Sequence, residues 1–319
     1  MRPTTKLVIA SLTLVACGSD PKPAADGAIA DATTSDAIVT GDGSASADAA
    51  VTGDPALPGP ATTMSAAAQI PGALTGRTLA STVITPSTAG PRPLVVISPG
   101  FQMARTQYLS YATHLASWGF VAIVTDYGES GFAIDHQRIA NDIPAVITWA
   151  LAQPNLAIAP QQIAVAGHSL GGKVSILAAS GDPRIEAVVA WDPVDSNAPS
   201  VAPEKMGTMT AAIAVIGETT NATGGFMPCA PAADNFTQFY AAAPSPALQA
   251  TVAGADHMDW VDDPTCFACT FCGAGTAAPD VARTATRRLN VAWLRKHLLA
   301  DAAMDPWLAS AGAVTIVSR

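Results

Sequence analysis

A chain of 319 residues, 49% apolar and only 13% charged, has ample material for one large α/β core or two small ones. Its net charge of −9 argues against nucleic acid as a partner, because a phosphate backbone calls for a basic surface. Much of that charge lies ahead of the stretch that reads as folded, as the chain order shows.

Arg2 and Lys6 precede an apolar run from Leu7 to Ala16. A run of this length is too short to span a bilayer as a helix and fits the apolar region of an export signal. It ends Leu14-Val15-Ala16-Cys17, which resembles the lipobox of bacterial lipoprotein signals. That resemblance implies a signal over residues 1–17, with Cys17 lipidated as the first mature residue. The mature protein is then exported and held to the bacterial cell envelope, at the outer membrane or cell surface, by its lipid; the alternative is an ordinary secretory signal with a coincidental cysteine, which leaves the protein secreted.

From Gly18 the composition turns to Ala, Asp, Thr, Ser, Gly and Pro. Asp20, Asp26, Asp31, Asp36, Asp42, Asp48 and Asp54 recur every five or six residues against one base, Lys22. With no aromatic residue, this segment cannot bury enough surface to offset its ordering entropy. Residues 18–64 therefore read as a disordered tether with a coil reach of roughly 35 Å.

A catalytic domain is expected over residues 65–319. Its apolar runs predict strands at Leu79–Thr85, Leu94–Ile97, Phe120–Thr125, Ile163–Ala166, Ile185–Trp191, Ala211–Ile216 and Leu248–Val252. Helical periodicity predicts helices at Tyr108–Trp118, Asp135–Ala152, from the residues after Ser169 to about Ser180, and at Val281–Leu299. Apolar strands alternating with helices imply a mostly parallel sheet covered on both faces.

The chemistry centres on Gly167-His168-Ser169-Leu170-Gly171, between a predicted strand and a predicted helix. This is the nucleophile-elbow pattern, in which small neighbours let the backbone pass close behind a serine held in a strained turn. A serine hydroxyl needs a base, and the base needs a carboxylate to fix its tautomer. In this architecture the order is serine, acid, histidine. Of five histidines, His257 follows the last core strand and is the expected base. For the acid, Asp192 ends the strand Ile185–Trp191 and Asp195 shares its loop, while Glu218 ends the next strand. Asp192 is preferred as the residue nearest its strand end, and Glu218 stands as the alternative. The oxyanion donors are expected at the amides of Leu170 and Phe101, the second because Gly100 lets its loop turn inward. Phe101, Met103, Phe226, Met227 and Trp260 are candidates to line the mouth.

At these residues the chain resembles a group of α/β-hydrolases. Its GHSLGGK, DPVD and HMDWVDD blocks look like those of chlorophyllases, as do the cysteines after the histidine block. SPGF and LASWGF are similar to bacterial polyester hydrolases and platelet-activating-factor acetylhydrolases. The resemblance covers roughly residues 93–300 and implies an α/β-hydrolase fold. It further implies a serine esterase working through Ser169, His257 and Asp192, without a cofactor, on an apolar or amphipathic ester. An acyltransferase using the same residues to acylate an envelope component is the alternative. Chlorophyllases and the acetylhydrolases place the acid at the position matching Asp192. Chlorophyllases usually carry arginine where this chain has Leu170, and an envelope anchor puts the protein away from chlorophyll, so the family name is not read as the substrate. Four cysteines remain, Cys229, Cys266, Cys269 and Cys272. An even number in an exported domain suggests two disulfides, with zinc or an iron–sulfur cluster as the alternative.

Overall fold

The computed structural model describes residues 53–128, 134–223, 228–265 and 267–319. Among these residues, nine strands form one sheet: β1 (Thr63–Pro71), β2 (Thr78–Pro86), β3 (Arg92–Ser98), β4 (Val121–Thr125), β5 (Ile158–His168), β6 (Ile185–Trp191), β7 (Ala212–Glu218), β8 (Ala247–Val252) and β9 (Val314–Ser318). Their order is β1-β2-β4-β3-β5-β6-β7-β8-β9. The six strands from β4 to β8 across the sheet are parallel, and β1, β2 and β9 pair antiparallel at the edges.

Among the described residues, six α-helices connect and cover these strands: α1 (Leu109–Ser117), α2 (His136–Leu151), α3 (Leu170–Ala179), α4 (Phe236–Ala242), α5 (Pro279–Leu299) and α6 (Asp305–Ala309). The two-residue period of a strand divides the core. Leu94 and Val96 of β3 join α2, α3 and α4 on one face, while Val95 and Ile97 join α1 and α5 on the other. All four are fully buried, each contributing about 1.5–3 kcal/mol relative to an exposed side chain. That two-sided demand is why the central strands are apolar throughout.

Each predicted strand and helix has its counterpart. The additions are β1, β9, α4 and α6. β1 buries one residue, Ile70, of its TMSAAAQIP, and no residue of β9 is fully buried, so neither carries a core-strand pattern. Residues 53–62, assigned by composition to the tether, lie against the domain. Asp54 pairs with Arg288 at 2.7 Å, and the Gly59 amide donates to Ser117 Oγ at 2.8 Å.

Candidate active site

Three strand ends build the site. At the end of β5 the chain turns so sharply that Ser169 takes φ 54°, ψ −121°, a conformation costly for any residue with a Cβ. The turn is possible because its flanks are bare. A Cβ on Gly171 would lie 2.0 Å from the Ser98 carbonyl oxygen, and one on Gly167 would lie 2.5 Å from the Gly171 backbone. The Ser169 amide donates to the Trp191 carbonyl at 2.9 Å, tying the apex to β6.

His257 opens a short 3-10 turn, His257–Trp260, after β8. Asp256 caps that turn through Met258 N at 2.9 Å, and Asp259 answers through Asp256 N at 3.0 Å, so the ring's entry angle is fixed from both sides. His257 Nε2 lies 2.8 Å from Ser169 Oγ, and its Nδ1 lies 2.5 Å from Asp192 Oδ2. A neutral ring held by a carboxylate at Nδ1 carries its proton there, which leaves the Nε2 lone pair facing the serine hydroxyl. All three groups are buried, Asp192 completely.

Asp192 ends β6 at φ 41°, and its amide donates to Ile216 O at 2.6 Å. The loop beyond it is clamped by Lys173 of α3. This side chain has no exposure; its Nζ donates to the carbonyls of Ser196 and Asn197, each at 2.7 Å, and pairs with Asp195 at 3.1 Å. Burial lowers the Lys173 pKa, with Asp195 pulling the other way. Asp195 thus holds its loop and does not meet His257.

Glu218 comes to the same region with a different task. Its carboxylate accepts from the amides of Thr220 and Asn221, the latter at 2.8 Å. Asn221 then uses its side chain to accept from His257 N at 2.7 Å and to donate to Gly273 O at 2.9 Å. Burial, reinforced by the Asp192 charge, pushes Glu218 up to about 7. The sequence offered Glu218 as a rival acid; its carboxylate instead supports the loop that holds the histidine backbone.

Leu170 is the first residue of α3, so its N–H has no acceptor within the helix and sits at the positive end of the helix dipole. Across from it, the Gly100 amide donates to Tyr108 Oη at 3.1 Å, and Phe101 follows in the same loop, 38% exposed. Tyr108 Oη also lies 3.0 Å from His168 Nδ1, and His168 Nε2 lies 2.8 Å from the His257 carbonyl oxygen. His168 therefore points away from Ser169, as the elbow geometry requires. Burial first, and the neighbouring His257 second, keep its pKa well below the ordinary histidine value.

Of the expected mouth residues, Met103 lines the cavity beside Gly100 and Phe101 is exposed. Trp260 is core, fully buried with its indole N–H on Thr286 Oγ1 at 2.9 Å. Its place in the HMDW block next to His257 suggested the mouth, but it packs in the core against α5, which carries Thr286. Phe226 and Met227 lie outside the described residues. Cys229 and Cys272 form a disulfide, and Cys269 is disulfide-bonded as well. Cys266 and Cys17 lie outside the described residues. Sequence reading missed Tyr108, Lys173 and Asn221, none of which stands in a motif of its own apart from the lysine closing GHSLGGK.

A mostly parallel sheet with a strained serine at its elbow defines an α/β-hydrolase fold. The chlorophyllase family model matches residues 60–306, and the chain belongs to that family. It is similar to chlorophyllase-2 of Arabidopsis thaliana, 27% identical over 212 residues that cover 57% of this chain and 65% of the relative. Chlorophyllase-1 of the same plant is 28% identical over 204 residues, covering 56% of this chain and 62% of the relative. The chain spans less than two thirds of the length of these relatives.

Proposed function

We propose that the protein is a serine esterase that hydrolyses a carboxylic ester through an acyl-enzyme. The observation that carries this reading is the continuous contact Ser169 Oγ–His257 Nε2 and His257 Nδ1–Asp192 Oδ2, at 2.8 and 2.5 Å. Ser169 Oγ attacks the ester carbonyl as His257 Nε2 takes its proton, and the charge that develops on the carbonyl oxygen is met by the Leu170 and Phe101 amides. The ester C–O bond then breaks, and His257 gives the proton to the departing alcohol. Water, deprotonated by the same nitrogen, releases the acid and restores Ser169. Asp192 holds the ring and stabilises the imidazolium in both steps. The substrate is an apolar or amphipathic ester, and the work is done outside the cytoplasm by an enzyme lipid-anchored at Cys17 to the cell envelope.

Hydrolysis of p-nitrophenyl esters by wild type and Ser169→Ala tests the reading. Loss of at least about a thousandfold in kcat is expected. Equal rates for the two proteins would refute it.

A further inference from the structure

Lys173 carries an ammonium into the interior with no exposed surface, which is costly unless every donor is met. Its Nζ meets Ser196 O and Asn197 O, each at 2.7 Å, and Asp195 Oδ1 at 3.1 Å, which uses all three protons. The backbone amide of the same residue donates to Ser169 O at 3.1 Å. One residue thus grips the nucleophile turn by its main chain and the loop after the acid by its side chain. We infer that Lys173 is the positioning residue for Asp192: through residues 193–197 it sets where the acid stands relative to Ser169 and His257. This rests on the esterase reading and adds what keeps the acid in register.

The acid needs such a hold. Asp192 leaves β6 at φ 41° and Asn197 follows at φ 61°, two left-handed residues in one short loop. The Asp192 carboxylate meets His257 Nδ1 at 2.5 Å and reaches the Glu218 amide only at 3.4 Å, so its place depends on its own backbone.

That backbone is stiff between the acid and the clamp. Pro193 has its φ fixed by its ring, and a Cβ on Gly172 would lie 3.1 Å from Pro193 Cβ, so α3 lies directly against it. Val194 is buried, and the Asp195 amide donates to Asp234 O at 2.7 Å. The Asp195 carboxylate also accepts from the amides of Val201 and Ala202, each at 2.9 Å, which closes the loop around the ammonium. A shift at the lysine is therefore passed to Asp192. The contacts of Nζ are with this loop and not with a triad group, so Lys173 acts on the reaction through the loop.

The test is a double-mutant cycle on p-nitrophenyl butyrate. It compares kcat and KM for wild type, Lys173→Met, Asp192→Asn and the pair, with Ser169→Ala as the blank. Lys173→Met keeps a long side chain and loses the ammonium. A displacement of about 1 Å at a reacting centre costs about a hundredfold, so kcat should fall by about that factor with KM within about threefold of wild type. With Asp192 already replaced, the lysine has no carboxylate left to aim, so the pair should lie within about threefold of Asp192→Asn alone. A pair about a hundredfold below Asp192→Asn would overturn the assignment, because Lys173 would then support the fold and not the acid. So would a Lys173→Met kcat within about threefold of wild type. Proton NMR gives a second readout without turnover. The far-downfield signal of a proton held between His257 Nδ1 and Asp192 should weaken or move in Lys173→Met while the core methyl signals keep their dispersion, and an unchanged signal counts against the proposal. If Lys173→Met does not fold, Asp195→Asn enters the same cycle with a loss of about tenfold, and full additivity with Asp192→Asn is again the refuting result. Wild type no faster than Ser169→Ala would sink the esterase reading and the role of Lys173 with it, whereas additivity in the cycle sinks the lysine alone.

Discussion

Replacing Tyr108 with Phe removes one oxygen and tests a chain of contacts running behind the site. The His257 carbonyl can only accept, so the His168 ring proton is on Nε2, 2.8 Å away. His168 Nδ1 is then an acceptor, and the Tyr108 hydroxyl 3.0 Å from it is the donor. The hydroxyl's own lone pair takes the Gly100 N–H at 3.1 Å. Tyr108 is fully buried and His168 nearly so, which keeps water from replacing the lost oxygen. Tyr108→Phe therefore strands two buried polar groups at about 1–3 kcal/mol each, and unfolding in urea with disulfides intact should give a loss of about 2–5 kcal/mol. The Gly100 loop also loses its fixed point, so kcat should fall about tenfold or more with KM changed little. Stability within about 0.5 kcal/mol of wild type would refute the assigned tautomer and the chain built on it.

Asp192→Asn should lower kcat about ten-thousandfold, measured at saturating p-nitrophenyl ester, because an amide cannot hold the same His257 tautomer. Glu218 should not rescue it, its carboxylate being committed to the Thr220 and Asn221 amides; a loss under about tenfold would contradict this. Glu218 also sets a pH dependence. Its pKa is raised from 4.5 to about 7, so between those values the folded protein binds more protons than the unfolded one. Stability should fall as pH rises through that window, and Glu218→Gln should flatten the slope in thermal melts. Reducing the Cys229–Cys272 bridge, which spans 43 residues of sequence, should cost up to about 4 kcal/mol and depress activity by loosening the segment packed behind His257. Full activity with titratable thiols at both positions would contradict that.

The readable part of the fold was the part buried on both faces. β3 to β7 each carry an unbroken apolar run because helices cover them on each side, and such runs announce themselves; β8 keeps an apolar face but is broken by Gln249 and Thr251. β1 and β9 do not, since an edge strand that buries one residue or none has no reason to alternate. The serine and histidine were legible for a different reason: a sharp elbow constrains its neighbours to glycine, and the base must follow the last core strand. Asn221 and Tyr108 left no such trace. Their contacts cross 36 and 60 residues of sequence, and neither the Asn221–His257 nor the Tyr108–His168 pairing imposes a local pattern.

The two carboxylates at the ends of β6 and β7 show how the fold resolves what residue type leaves open. Both are buried and both stand near His257, and the Glu218 amide reaches towards Asp192 Oδ1 at 3.4 Å. Two negative charges so close cannot both be fully stabilised without separate partners. The backbone provides the separation. Asp192 leaves its strand at φ 41°, and its Oδ2 lies 2.5 Å from Nδ1 of His257, the ring that would become a cation in the proposed reaction. Glu218 stays in strand, and its longer side chain folds onto the amides of the following turn. The shorter acid on the left-handed residue faces the base; the longer acid on the regular strand builds the turn that holds the base's backbone. Exchanging the two, as Asp192→Glu with Glu218→Asp, should therefore fail more severely than either change alone, and a double variant as active as the better single one would refute that division of roles.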